Sequence, residues 1–146
     1  RNENLMLKNV HPLLGPDLLN ILGSMGHGDE LVIADRNFPS YRVGQRVVEL
    51  RGHDAPTVTE AICSVMPLDL SVTQPAYRMA TDKGESDIPP VHAGVIATIT
   101  PNLAEGQTVG AIGRFDFYDR AAKAFAVVVT GESRPYGDFI LCMGVS

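Results

Sequence analysis

The chain has 146 residues, a length that suits one domain with its own core. Apolar residues make up 45% and charged residues 20%, which argues against a disordered or fibrous chain. Twelve basic against seventeen acidic residues leave a formal charge of −5, with no basic block and only 6% aromatics, so neither nucleic acid nor an anionic membrane surface is an expected partner.

The longest apolar runs, such as AFAVVV (124–129), fall far short of a bilayer span, and no apolar signal core opens the chain. Residues 1–5 are set aside as an expression remnant or frayed terminus, which leaves 6–146 as the domain. Cys63 falls on an expected helix face and Cys142 in an expected strand. Without a C-x-x-C pair, they read as buried, reduced thiols in a cytoplasmic protein.

In chain order, Pro16 opens a helix, because the N–H it lacks is not needed in the first turn. Leu18, Ile21, Leu22 and Met25 recur at helical spacing, and Gly26 and Gly28 end the element. ELVIAD (30–35) is short, β-branched and almost wholly apolar, as a strand covered on both faces should be. RVVEL (46–50) predicts a second strand. TVTE (57–60) has the form of a capping box, followed by the stripe Val58, Ala61, Ile62 and Val65, with Pro67 as the stop. AYRMA (76–80) predicts a strand, TDKGESDIPP (81–90) an exposed loop, and PVHAGVIATIT a helix from Pro90. TVGAIGR (108–114) leads into a helix at FDFYDRAAKAF (115–125), where Asp119 and Lys123 stand four apart on one face. AVVVTG (126–131) and FILCMGV (139–145) predict two closing strands joined by ESRPYGD. Short apolar strands alternating with helices define an α/β fold: one layered domain with a mostly parallel sheet flanked by helices.

Four histidines are candidates for proton chemistry. His11 precedes a proline, His53 sits in a turn and His92 near the start of a helix, and none of these has company in the sequence. His27 lies between two glycines just past a helix end, eight residues ahead of Asp35. An imidazole gives and takes a proton near neutral pH. Asp35 closes a buried strand, and ligands of open α/β sheets bind at the carboxyl ends of strands. The expectation is that the two meet in one cavity sized for a monosaccharide, with His27 as general acid and base. HGD (27–29) offers two metal-binding groups, but no HExxH or cysteine set supplies the others, so no metal is expected. The spacings GxGxxG, GxxxxGK[ST] and GxSxG are absent, which removes support for dinucleotide, triphosphate and α/β-hydrolase chemistry. Near the end, Arg114, Tyr118, Tyr136 and Asp138 offer forked donors, hydroxyls and flat faces that suit a polyhydroxylated ring; each suits a core or surface place equally well.

HPLLGPDLLNILGSMGHGDELVIADRNFPS (11–40), with RFDFYDRAAKAFAVVVTGESRPYGDFILCMGV (114–145) downstream, resembles the L-fucose mutarotase and D-ribose pyranase family. The resemblance runs over nearly the whole chain and is weakest between Leu68 and Val109. NFP after Asp35 and the lysine-bearing FYDRAAKAF look more like the fucose branch. It implies a ribose-pyranase-like fold and a cofactor-independent isomerase that exchanges the anomers of a free sugar. L-fucose is the first substrate it implies, with D-ribose or another reducing sugar as the alternative. A non-catalytic sugar-binding or transport-accessory protein is a further alternative. It implies His27 as proton donor and Asp35, Arg114, Tyr136 and Asp138 as substrate contacts; Tyr118 is expected beside them as a wall or stacking surface. It also implies a ring-shaped homo-oligomer, commonly a decamer, with pockets near subunit contacts. The family usually has asparagine where this chain has Asp138, and an ionised carboxylate cannot donate a hydrogen bond to a sugar hydroxyl.

Overall fold

The computed structural model describes residues 7–146, and the segment 1–5 set aside above lies outside them. Six strands form one sheet: β1 (Glu30–Ala34), β2 (Val47–Leu50), β3 (Ala76–Met79), β4 (Val109–Ile112), β5 (Ala126–Thr130) and β6 (Phe139–Cys142). Their spatial order is β2-β5-β1-β6-β3-β4. β1 pairs in parallel with β5, β5 with β2, and β3 with β4, while β6 runs antiparallel to both β1 and β3. Five strands therefore point one way and β6 alone points back.

The apolar run of β1 divides its side chains by pleat. Leu31 and Ile33 enter one core with helices α1 (Pro16–Ser24), α3 (Ala55–Cys63) and α4 (Pro90–Ile99). Val32 and Ala34 enter a second core with Phe38, just ahead of the short α2 (Ser40–Val43), and with Phe117 and Ala121 of α5 (Arg114–Lys123). Helices thus cover both faces. Burial is complete at β1's centre, where Leu31, Val32 and Ile33 have no exposed surface.

Most element boundaries follow the sequence reading; β4 and α2 were not singled out by it, and the start of α3 differs. α3 starts two residues before the TVTE segment, because Asp54 caps it: its Oδ1 accepts the Thr57 amide at 3.0 Å, and Pro56 stands in the first turn. The Thr57–Glu60 box is therefore interior helix. α2 has four residues and no apolar stripe long enough to betray it. Cys63 and Cys142 are both free thiols, Cys142 buried and Cys63 partly so.

Candidate active site

β1, β3, β4 and β5 end on one edge of the sheet, and β6 begins there. That edge carries a cavity of about 270 Å³. Asp35 follows β1, Asp138 precedes β6, and Tyr136 sits two residues before it on the loop from β5. Arg114 and Tyr118 come from the first turns of α5, four residues apart and so on one helical face. The structure thus brings together five of the six expected site residues: Asp35, Arg114, Tyr118, Tyr136 and Asp138. Asn37, Phe38, Met79 and Pro135 complete the wall and were not anticipated. The volume lies just below the range of about 300–1,000 Å³ for small-molecule pockets, which fits a ligand of one sugar ring.

The polar groups are fixed before any ligand arrives. Arg114 Nε donates to the Tyr118 hydroxyl at 3.2 Å, and its guanidinium stands 5.5 Å from that ring's centroid. Phe38 meets Tyr118 edge to face, with 5.4 Å between centroids. Asp138 is buried, and its Oδ1 accepts the Asp35 amide at 2.8 Å. Asp35, also buried, turns its own Oδ1 to the Asn37 amide at 2.8 Å. No lysine or arginine forms an ion pair with either carboxyl among the described residues. Burial, and then the neighbouring Asp35 carboxylate, push the Asp138 carboxyl well above the usual carboxylate range. In its protonated form an aspartic acid donates a hydrogen bond, as the asparagine usual in the family does.

Glu132 braces the loop that carries Tyr136 and Asp138. Its carboxylate accepts the Ala55 amide at 3.1 Å, the Arg134 amide at 3.0 Å, and Arg134 Nε and Nη2 at 2.8 and 2.9 Å. Gly131 before it passes so close to β2's exit that a Cβ there would stand 2.0 Å from the Arg51 carbonyl.

His27 is elsewhere. It precedes β1, whereas Asp35 follows it, and five extended residues span about 17 Å. The expectation that these two side chains share a cavity within one chain is not met. Gly28 takes φ +89°, a left-handed conformation natural to glycine, and Asp29 Oδ2 accepts the Gly26 amide at 2.7 Å, so the glycine-flanked bend is a tight turn. His27 is half exposed, with Nε2 3.1 Å from Asp69 Oδ1. Ser71, through its hydroxyl and amide, and then His27 hold the Asp69 carboxyl down at about 2. An ionised carboxylate only accepts, so the proton is assigned to Nε2. Asp69 was missed; the Asx-turn pattern D-x-S at 69–71 was its one sequence signal.

His92 does have company. It is fully buried in the first turn of α4, and its Nε2 lies 2.7 Å from the Tyr136 carbonyl oxygen and its Nδ1 3.2 Å from Arg78 Nη1. A carbonyl only accepts and a guanidinium only donates, so the ring is neutral with its proton on Nε2. Tyr136 has φ +62°, which costs a residue with a Cβ about 1–2 kcal/mol.

Among the described residues no group of three or more His, Cys, Asp or Glu side chains is placed to hold a metal ion. No helix among them is long and apolar enough to cross a membrane.

A three-layer α/β fold with a polar cavity of one-sugar size, walled by tyrosine and arginine at the carboxyl edge of the sheet, defines the class: a small-ligand-binding domain with acid–base groups. The chain belongs to the RbsD / FucU transport protein family, whose model matches residues 8–146. It is 38% identical over 141 residues to the L-fucose mutarotase of Histophilus somni (strain 129Pt), covering 97% of this chain and 98% of that one. The L-fucose mutarotase of Glaesserella parasuis serovar 5 (strain SH0165) is 40% identical over 141 residues, covering 97% of both. Among solved structures, the fucose mutarotase of Streptococcus pneumoniae in complex with L-fucose superposes with a TM-score of 0.88 at 36% identity, covering 96% of this chain and 99% of that one.

Proposed function

We propose that residues 6–146 form one mutarotase domain that interconverts the anomers of a free monosaccharide, L-fucose first, by opening and closing its ring. The observation that carries this reading is the meeting of Asp35, Arg114, Tyr118, Tyr136 and Asp138 around one cavity. The likeness to relatives named L-fucose mutarotase supports the choice of sugar.

Ring opening protonates the ring oxygen, breaks its bond to the anomeric carbon and removes the proton of the anomeric hydroxyl. Closure on either face of the aldehyde reverses both transfers. Such chemistry needs no covalent nucleophile, metal or organic cofactor. Arg114 and Tyr136 hold the sugar, Tyr118 forms a wall, and Asp35 and Asp138 bind its hydroxyls. His27 protonates the ring oxygen and recovers that proton on closure. Since His27 sits at the far end of its own β1, the imidazole in each cavity comes from a second copy of the chain. A ring-shaped homo-oligomer, a decamer by resemblance, supplies that arrangement. The half-exposed imidazole, braced by Asp69, supports this reading. Two free cysteines support a cytoplasmic location.

Exchange NMR on L-fucose, D-ribose and D-galactose tests the proposal. The chain should accelerate L-fucose exchange most, and His27→Ala should lower the rate by about 10²–10⁴. Mixed H27A and D35N subunits should regain exchange that neither has alone. Unchanged exchange in folded H27A removes His27 from the mechanism. Sugar binding without acceleration points instead to a binding or transport-accessory protein.

A further inference from the structure

His92 and Arg78 take no part in the chemistry above, yet both are buried charged or titratable groups joined to the cavity wall. Arg78 lies on β3, with its side chain on the face of the sheet that α4 covers, beside its register partner Phe139. Its guanidinium is spent on three acceptors: the Asp87 carbonyl at 3.1 Å, the Glu85 carbonyl, and His92 Nδ1. Thr81 Oγ1 donates to Asp87 Oδ2 at 2.5 Å, so the 81–88 loop and Arg78 form one braced unit. That unit fixes the ring of His92, whose remaining nitrogen donates to the Tyr136 carbonyl.

Tyr136 is a tyrosine in a left-handed conformation that its own backbone disfavours, and its side chain lines the cavity with Arg114. Pro135 and Tyr136 form the centre of a turn, where a left-handed residue follows a proline, but tyrosine is not the residue that favours that place. One short hydrogen bond from a fully buried donor anchors the Tyr136 carbonyl. We propose that His92, oriented by Arg78, is a positioning residue for sugar binding, fixing the Tyr136 backbone so that its side chain stands in the cavity. This rests on reading the cavity as the sugar site.

The arrangement requires a neutral imidazole, since a second ring proton would point at the Arg78 guanidinium. The charged groups around the ring are Arg78 from β3 and Asp87 from the loop ahead of α4. Phe139 of β6 meets it edge-on, with 5.4 Å between centroids. Burial, with Arg78 adding to it, lowers the imidazole's affinity for a second proton. The clamp therefore releases only on the acid side of histidine's ordinary range.

The test compares His92→Gln, which keeps a donor at the Nε2 position without titrating, with His92→Leu, which has no donor. Exchange NMR across sugar concentrations should show KM raised about three- to tenfold in H92L, the effect of one lost hydrogen bond, with kcat less affected. H92Q should keep the wild-type KM at neutral pH and lack the acid-side rise in KM that the wild type shows. Without sugar, the three-bond amide coupling of Tyr136 should report the left-handed φ in wild type and H92Q but not in H92L. If no sugar is exchanged by the wild type, the proposed function fails while the coupling still judges the clamp. If H92L does not fold, the comparison of wild type with H92Q decides. An acid-side rise that is missing in the wild type or unchanged in H92Q overturns the proposal, as does an unchanged KM and coupling in folded H92L.

Discussion

Replacing Glu132 by glutamine keeps the side chain's volume and removes its charge. The carboxylate is 2% exposed and takes four N–H donors, two of them from the Arg134 guanidinium. Those bonds, the Arg134 side chain first, lower its pKa from an ordinary 4.5 to about 2. At about 1.4 kcal/mol for each pH unit, that drop corresponds to about 3 kcal/mol of folding free energy. Arg134 is 45% exposed, and water screens part of the attraction, so about 2–3 kcal/mol is the expected loss. A group whose pKa is depressed by folding contributes its stability above the unfolded value and loses it as pH falls through the folded one. The gap between wild type and E132Q should therefore be full above about pH 5 and close toward pH 2. For a chain of this length 1 kcal/mol moves Tm by about 3–4 °C, so Tm at pH 7 should fall by about 6–12 °C. Differential scanning fluorimetry from pH 7 to pH 2 measures it. An unchanged Tm at pH 7, or a gap undiminished at pH 2, would refute the electrostatic argument. Because the same loop carries Tyr136 and Asp138, sugar exchange should fall as well.

Two other substitutions probe the site carboxyls. Asp138→Asn should raise Tm at neutral pH and flatten its decline with rising pH, because a carboxyl with a raised folded pKa loses its stabilisation as pH climbs through that value; a lower Tm in D138N would contradict the protonated reading. Asp69→Ala leaves His27 without its fixed acceptor, and exchange should slow by about tenfold or more with sugar affinity little changed, as measured by exchange NMR and equilibrium titration.

Much of the fold was legible because it rests on local patterns. Pro16, the apolar runs of β1 and β5, and Pro90 each mark their element within a few residues. The start of α3 was misplaced because two caps compete in DAPTVTE, and Asp54 with Pro56 in the first turn prevails over Thr57. The five residues that line the cavity were legible by chemical type. His27 and Asp35 look close at eight residues apart in the sequence, but an extended strand carries its two ends far apart, so within one chain they do not meet. His27 with Asp69 and His92 with Tyr136 were invisible for the opposite reason: 42 and 44 residues separate partners that only the tertiary fold joins.

The central strand β1 takes both its neighbours, β5 and β6, from residues 126–142. A growing polypeptide thus emerges with its most apolar early segment unable to pair until about ninety further residues have been made. Long-range closure of this kind is slow. The exposed ELVIA segment is where a chaperone would act and where nascent chains would aggregate if synthesis stalled.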